Sequence, residues 1–420
     1  MRKKITTYSR NLISHPLFSG SAILFLGSNI ANFLAYVYHI FTPRLLGRAN
    51  YGELAAIISV IALISATYGF LNMVIGKFVS SGSKKEVEHF FAWVTKRTLT
   101  VGIIACVIIF LLTPQITHFL NTDSKYVVLI GPIFLFSLVL FVYRAFLQGL
   151  LRFKEMVVAT NLEMGARLLL GVVFILLGLS VFGAVLGILL ATVVTLLLTQ
   201  YYLRDYKMKD SKIDVNINKL LRLAVPIFLA SLASHSMYTS DVVLVKHYFS
   251  SEDAGLYAAL SNLSKIIFFG TAPVVSVMFP MISKKHAQGE DYNKIFIFSL
   301  LMVGFISIGV SVGYLLFPEF AIMLLYTKDF LSGASYLFWF GLFITIFTFN
   351  SLFVNYFLAR EKNKVVLMSL SASIGQVLGI WLFHDSIFTV IKVSIITATL
   401  FLLGLLIYFA HENKKIFVRS

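Results

Sequence analysis

A chain of 420 residues that is 58% hydrophobic, 13% charged and carries 40 phenylalanines has more apolar surface than a soluble fold of that length can hide. The net charge of +16 would suit a nucleic-acid binder, yet nearly all Lys and Arg fall in short gaps between apolar runs. That pattern orients a membrane chain and needs no anionic polymer, so a soluble protein and a nucleic-acid partner are both excluded.

Residues 1–19 are polar and basic, with Arg2, Lys3, Lys4 and Arg10. Ile5, Tyr8 and Leu12 recur at helical spacing, which predicts a short helix lying on the cytoplasmic membrane face. The apolar run 20–42 is too long for a signal-peptide core and has no small-residue cleavage pattern after it, so it reads as the first span. At roughly 20 apolar residues per crossing, further spans are expected at 53–76, 98–119, 126–149, 157–180 and 181–203. A basic run follows, with Arg204, Lys207, Lys209, Lys212, Lys219 and Arg222, and then spans at 223–248, 254–281, 294–317, 334–358, 364–384 and 387–410. The expected fold is an all-α polytopic membrane protein of about 12 transmembrane helices. Its divisions are an N-terminal six-helix bundle at 1–203 with a cytoplasmic N-terminal segment, a basic cytoplasmic linker at 204–222, and a C-terminal six-helix bundle at 223–420.

Loop charge supports the count. The segments assigned to the cytoplasm carry 26 Lys or Arg, whereas the outer loops hold only Arg44, Arg48, Lys125, Lys246 and Lys328. Both termini are therefore expected in the cytoplasm.

The two halves read as repeats. Gly52, Ala55 and Ala56 match Gly255, Ala258 and Ala259 at a separation of 203, and Leu111, Leu112, Pro114 and Leu120 match Leu315, Leu316, Pro318 and Leu324 at 204. Arg152, Lys154, Val157 and Val158 match Arg360, Lys362, Val365 and Val366 at 208. Six crossings return the chain to its starting side, so the repeats are parallel, and the substrate site of such an alternating-access architecture is expected in a central cavity between them.

Polar stripes mark the cavity-facing helices. In the first span Ser28 or Asn29, Asn32, Tyr36 and His39 share a helical face; in the seventh Ser231, Ser234, His235, Tyr238 and Asp241 do so, with Ser231 and His235 standing 203 residues after Ser28 and Asn32. Interhelical hydrogen bonding is the competing explanation. The third, sixth, ninth and twelfth spans are apolar nearly all round and are expected to face lipid, while Gly183/Gly187 and Gly375/Gly379 form small-residue packing motifs.

Charged residues inside spans each cost about 3 kcal/mol at the bilayer centre unless paired or hydrated. Arg144 in the fourth span and Glu163 in the fifth lie at similar depth, and Glu163 stands four residues from Arg167, so one carboxylate can serve two arginines. The cluster either pins the helices or leaves a guanidinium free for an anion, phosphate being the best match to its bidentate fork. Lys265 lies near the middle of the eighth span with Asn262 one turn before it, and Asp241 is within reach of its stem. Lys392 is close enough to the end of the last span to snorkel. Pro132, Pro226 and Pro273 interrupt the fourth, seventh and eighth spans.

Enzyme signatures are missing from the sequence: no GxxxxGK[ST], HExxH, CxxC or nucleophile-elbow pattern occurs. Cys106 alone makes no intramolecular disulfide, and His39, His235 and His384 lack metal-ligand spacing. Transport is the remaining broad class, with neither metal nor cofactor expected beyond a coupling proton or sodium ion.

The stretch from Pro43 to Gly52, reading PRLLGRANYG, the stretch from Leu147 to Phe153, reading LQGLLRF, and Asp241 followed by Ala254, Gly255, Leu256 and Tyr257 resemble the polysaccharide-transporter branch of the multidrug, oligosaccharidyl-lipid and polysaccharide exporter superfamily. The resemblance implies a V-shaped pair of bundles in the bacterial plasma membrane that moves an undecaprenyl-pyrophosphate-linked oligosaccharide from the inner to the outer leaflet for surface polysaccharide (O-antigen, capsule or exopolysaccharide) biosynthesis. The partners it implies are the lipid-linked oligosaccharide, membrane lipids and a polysaccharide polymerase. On this reading Arg144, Arg167 and Lys265 offer positive charge to the pyrophosphate. Asn29, Asn32, Tyr36, Ser231, His235, Tyr238 and Asn262 offer hydrogen bonds to sugar hydroxyls, and Glu163 or Asp241 couples the cycle to a cation. A multidrug exporter of the same superfamily is the alternative; a membrane glycosyltransferase fits less well, since no outer loop is long enough for catalytic groups.

Overall fold

The computed structural model describes residues 16–206 and 217–417. Residues 1–15 of the expected surface helix, and Lys207, Lys209 and Lys212 of the basic linker, lie outside these residues. Before the linker come α1 (Pro16–Ala66), α2 (Leu71–Ser81), α3 (Lys84–Leu111), α4 (Thr113–Leu120), α5 (Ser124–Val127), α6 (Ile130–Gly149), α7 (Phe153–Phe174) and α8 (Ser180–Tyr202). After it come α9 (Ile217–Met237), α10 (Ser240–Tyr248), α11 (Ser251–Ala287), α12 (Asn293–Leu316), α13 (Pro318–Leu325), α14 (Ala334–Ala359), α15 (Lys364–Leu382) and α16 (Ile387–Phe417).

Nine stretches among the described residues are long and apolar enough to cross a membrane. Two of them contain breaks. α1 breaks at Gly47, whose φ of 72° only glycine adopts without strain. The stretch 153–202 breaks at the π-turn Ile175–Leu179, where Gly178 has φ 86°. Each therefore supplies two crossings, and α9 with α10 forms one more, which brings the fold to the expected number of about twelve.

The chain folds as two compact units. One comprises Met1–Leu46 and Tyr68–Val225, the other Gly47–Thr67 and Pro226–Ser420. The grouping departs from two contiguous halves in one segment, residues 47–67. Backbone breaks bracket that segment, with Gly47 at one end and a turn at the other, where Leu71 N donates to Tyr68 O at 3.0 Å.

In the first unit α7 packs along α8, and α6 receives α2 and α3. Phe90, Phe91, Tyr143 and Phe146 form its aromatic core, with Phe91 and Phe146 edge to face at 4.9 Å. In the second unit α14 is central, packed by α11, α12 and α16. Lipid tails are as apolar as these side chains, so close fit and interhelical hydrogen bonds hold the helices together. Such fits occur where the sequence has glycine: a methyl on Gly187 of α8 would stand 2.7 Å from Gly171 N of α7.

Exposed apolar stripes on α3 (Val101, Ile104, Ile108), α12 (Phe298, Leu301, Phe305) and α16 (Ile396, Leu400, Ile407) are the faces a bilayer would cover. The sixth span keeps an apolar face for lipid, with Val194, Leu197 and Tyr201 exposed, but it is lipid-facing on one side only. α8 buries Ala184, Ile188, Ala191, Thr195 and Thr199 against α6 and α7, because small residues and threonines that bond their own helix permit close approach.

The repeat is visible in backbone detail. α4 and α13 are both eight-residue helices with proline in the first turn, where its missing N–H costs nothing. α6 and α14 both end on a non-glycine residue in the left-handed region, Leu151 and Glu361, each with φ 60°. The following N–H closes the turn in both, Arg152 N to Leu147 O and Lys362 N to Phe357 O. That basic residue then grips the end of the last helix of its repeat: Arg152 Nη1 donates to Tyr202 O at 2.7 Å, and Lys362 Nζ pairs with Glu412 at 2.7 Å. Arg152 is thus the counterpart of Lys362, not of Arg360 as identity matching suggests.

Prolines behave unevenly. The break between α5 and α6 falls at Val128, four residues before Pro132, where the proline ring crowds the carbonyl. Pro273 and Pro280 lie inside α11, which continues through both. The seventh span is interrupted not at Pro226 but between Met237 and Ser240.

Candidate functional site

In the first unit the charged cluster is built on α6 and α7. Arg144 Nη1 pairs with Glu163 Oε2 at 2.6 Å and Nη2 donates to Ala159 O at 3.0 Å, so this hairpin closes as its charges suggest. Thr192 Oγ1 donates to Glu163 Oε1 at 3.4 Å. Glu163 does not serve a second arginine. Arg167 lies over the ring of Tyr38, 4.5 Å from its centroid, and its Nε and Nη2 have no hydrogen-bond partner among the described residues. The slot for that ring exists because Gly171, one turn after Arg167 on the same face of α7, has no side chain; a methyl there would stand 2.8 Å from Tyr38 Cε2. Tyr38, fully buried, was not among the expected site residues; it lies off the face shared by Asn32, Tyr36 and His39.

Along α1, Asn29 and Asn32 are exposed while Tyr36 and His39 are half-buried, with His39 edge-on to Tyr38 at 5.8 Å. Asn161 Nδ2 donates to Gly27 O at 3.0 Å, tying α7 to α1.

In the second unit the expected stripe from Ser231 to Asp241 is not continuous. α9 ends at Met237, and Asp241 sits in the first turn of the separate helix α10. Ser236 and Ser240 bridge the break through their hydroxyls at 2.8 Å. On α9 the His235 ring meets Ser231 O at 2.9 Å and lies 5.5 Å from the Tyr238 ring. Asp241, 1% exposed, accepts from Tyr257 Oη at 2.8 Å and from Val242 N at 2.9 Å. The Ser394 hydroxyl adjoins that phenol and accepts from Gln376 Nε2 at 2.9 Å, and Gln376 Oε1 has no partner among the described residues. Tyr257, Ser394 and Gln376 thus extend the site to α11, α15 and α16; the signal for the last two is a polar side chain inside an apolar run.

Lys265 lays its ammonium 5.6 Å above the Tyr238 ring and feels Asp241 at a longer range than an ion pair. Asp241 spends its oxygens on Tyr257 and Val242 instead. Asn262, one turn earlier, donates to Tyr51 Oη at 2.8 Å, which engages it in packing within the unit. Arg48 and Lys246, expected in outer loops, are packing cations. Arg48 reaches Asp253 at 3.9 Å and donates to Asp329 O and Ser332 Oγ at 3.3 Å, and Lys246 is 1% exposed and interacts with Glu53.

The family model of polysaccharide biosynthesis proteins matches residues 17–286. An uncharacterized membrane protein of Methanocaldococcus jannaschii, MJ1375, is 26% identical over 363 residues, covering 80% of this chain and 82% of its own length. In fold the chain is similar to an inward-facing MATE-family multidrug resistance transporter of the MOP superfamily, at TM-score 0.76 and 15% identity over 92% of this chain and 95% of that one. It is also similar to the lipid II flippase MurJ in an inward closed conformation, at TM-score 0.76 and 14% identity over 93% of this chain and 87% of that one. At those identities the likeness is one of fold. The chain is a multi-pass membrane protein with the fold of these two structures.

Proposed function

As the chain belongs to the family of polysaccharide biosynthesis proteins, in the polysaccharide-transporter branch of its superfamily, we propose that it is a flippase rather than an enzyme. It would carry a polyprenyl-pyrophosphate-linked oligosaccharide across a plasma membrane by alternating access, with both termini in the cytoplasm. The observation that carries this reading is Arg167, a guanidinium stacked on Tyr38 with two N–H groups unsatisfied among the described residues. A buried unsatisfied donor on a cation is costly unless a ligand completes it, and a phosphate offers the paired acceptors that the guanidinium fork matches. Arg144 is neutralised by Glu163, so Arg167 and Lys265 are the remaining cations we assign to the pyrophosphate. Asp241, in its buried network with Tyr257, is the residue we assign to exchange of a proton or sodium ion.

The test is a leaflet-orientation assay on proteoliposomes holding purified protein and a lipid-linked oligosaccharide, read by a sugar-modifying enzyme added outside. Protein-dependent exchange that disappears in Arg167→Ala supports the assignment, and unchanged exchange in that variant removes it. A cation-coupled multidrug exporter is the second reading, favoured by the buried carboxylate of Asp241. Movement of cationic dyes without exchange of the lipid would replace the flippase reading with this one.

A further inference from the structure

A cavity of about 370 Å³ opens within the second unit between α11 and α14. Phe268, Thr271, Ser276 and Phe279 line it from α11, and Thr348 and Asn355 from α14. None of the residues lining it is charged.

Four of its five polar side chains bond their own helices. The hydroxyl protons go to carbonyls of their own helices: Thr271 to Ile267 O at 2.9 Å, Ser276 to Pro273 O at 2.8 Å, and Thr348 to Ile344 O at 2.7 Å. Asn355 Nδ2 likewise donates to Ser351 O at 2.8 Å. Thr271, Ser276 and Thr348 thus present oxygen lone pairs to the cavity, while Asn355 keeps a second amide N–H and Ser351 of α14 adds a hydroxyl, so the lining both accepts and donates. Pockets lined by aromatic and small side chains with a few convergent polar groups bind neutral organic ligands of this volume. A ligand that suits such walls brings both donors and acceptors. A pyranose does so with several hydroxyls, and its C–H faces pack on aromatic rings. A cationic drug would find no carboxylate in this lining, and an anion would find no cationic side chain in it.

The cavity also has a charged neighbour. Phe268, part of its wall, stands 5.8 Å from the Tyr238 ring that carries the Lys265 ammonium. Lys265 and Phe268 are three residues apart on α11, about 4.5 Å of helix rise. An anionic group on Lys265 is therefore one helical turn from the wall of a neutral pocket lined by hydroxyl, amide and aromatic groups.

We infer that this pocket is a saccharide subsite, taking the sugar next to the phosphate that Lys265 holds. The inference rests on the flippase reading and names the part of the substrate that this pocket recognises.

The experiment measures binding by purified protein in nanodiscs. The probes are short-chain polyprenyl pyrophosphates carrying glucose, galactose or N-acetylglucosamine, and the same lipid without sugar. Thr348→Val and Asn355→Leu remove acceptors while keeping shape, and a photoreactive diazirine on each sugar maps its contacts in the wild-type protein. The expected result is an affinity for at least one glycosylated lipid that drops about tenfold in each variant, the loss of roughly one hydrogen bond. Affinity for the sugarless lipid stays unchanged, and label falls on the α11 and α14 peptides. Unchanged affinity for the glycosylated lipids, or label elsewhere, overturns the pocket and leaves the flippase reading standing. Equal losses for glycosylated and sugarless lipid overturn it in favour of a site for the lipid chain. If the wild-type protein binds neither kind of lipid, the flippase reading falls together with the pocket.

Discussion

Gly52 of α1 and Gly255 of α11 stand back to back at equivalent positions of the two repeats. A methyl on Gly52 would lie 2.7 Å from Gly255 N and overlap the Ser251 carbonyl oxygen, and a methyl on Gly255 would overlap the Arg48 carbonyl oxygen. Residues 48 and 251 are themselves related by the repeat separation of 203, so the crossing is symmetric about a local two-fold axis. The obstacle is backbone on both sides and cannot rotate away. Gly52→Ala and Gly255→Ala are each expected to destabilise by about 1–3 kcal/mol, the cost of overpacking. Thermal unfolding of detergent-solubilised protein checks this, with Gly270→Ala, which meets open space, as the control. A Gly52→Ala protein as stable as the control would show that the close approach is not required.

The crossings were legible because a bilayer demands length and apolarity, and the Arg144 and Glu163 pairing because isolated charges there are too costly. The break at Gly47 was legible too, because it falls in the stretch 43–52, where Arg44, Arg48 and Asn50 separate the first two spans. The break between Met237 and Ser240 was not, because Tyr238, Thr239 and Ser240 also read as the polar stripe of a continuous helix. The third repeat block was misregistered by two residues because identity matching paired Arg152 with Arg360. The backbone motif is instead set by Leu151 and Glu361, two side chains without chemical likeness in the same left-handed conformation. Within the candidate site, Tyr38 was missed because its partnership with Arg167 depends on the space Gly171 leaves, which only the packed helices disclose.

The pair of Arg144 and Glu163, with side chains 18% and 15% exposed, is mostly withdrawn from water. Removing one partner leaves the other charge uncompensated, whereas removing both does not. Glu163→Gln is expected to destabilise by about 2–3 kcal/mol, discounted from the fully buried case, and the double change Arg144→Met with Glu163→Leu by less. Unfolding of the two variants side by side decides it, since a double variant at least as damaged as the single would show that helix packing, not charge, sets the cost.

Asp123 lies outside the spans and accepts from Lys125 Nζ at 2.7 Å and from Lys125 N at 3.0 Å, which caps α5. The Lys125 ammonium, then its backbone N–H, hold the Asp123 carboxyl below its ordinary range. A depressed carboxylate contributes stability that is present above its unfolded value and lost as pH falls through the folded one. Amide exchange in residues 124–127 is expected to lose protection as the pH is lowered below the ordinary aspartate range. Asp123→Asn, which keeps an acceptor but no charge, is expected to show no such transition; the same transition in that variant would assign it to another group.

Arg167 owes its pose to the Tyr38 ring and its proposed task to the shape of its fork. Tyr38→Phe preserves the stacked face and loses the hydroxyl's contacts with Ala184 O at 3.5 Å and with the Arg167 side chain, so transport by this variant is expected to fall less than in Tyr38→Leu. Tyr38→Leu removes the face, worth roughly 1–2 kcal/mol at a desolvated site, and is expected to lower transport about tenfold. Arg167→Lys keeps the charge but neither stacks as a plane nor donates bidentately, so it is expected to fail nearly as completely as Arg167→Ala. The leaflet assay on the four variants distinguishes the roles. If Arg167→Lys restored transport, the site would require only positive charge, and the paired N–H groups of Arg167 would not be what holds the pyrophosphate.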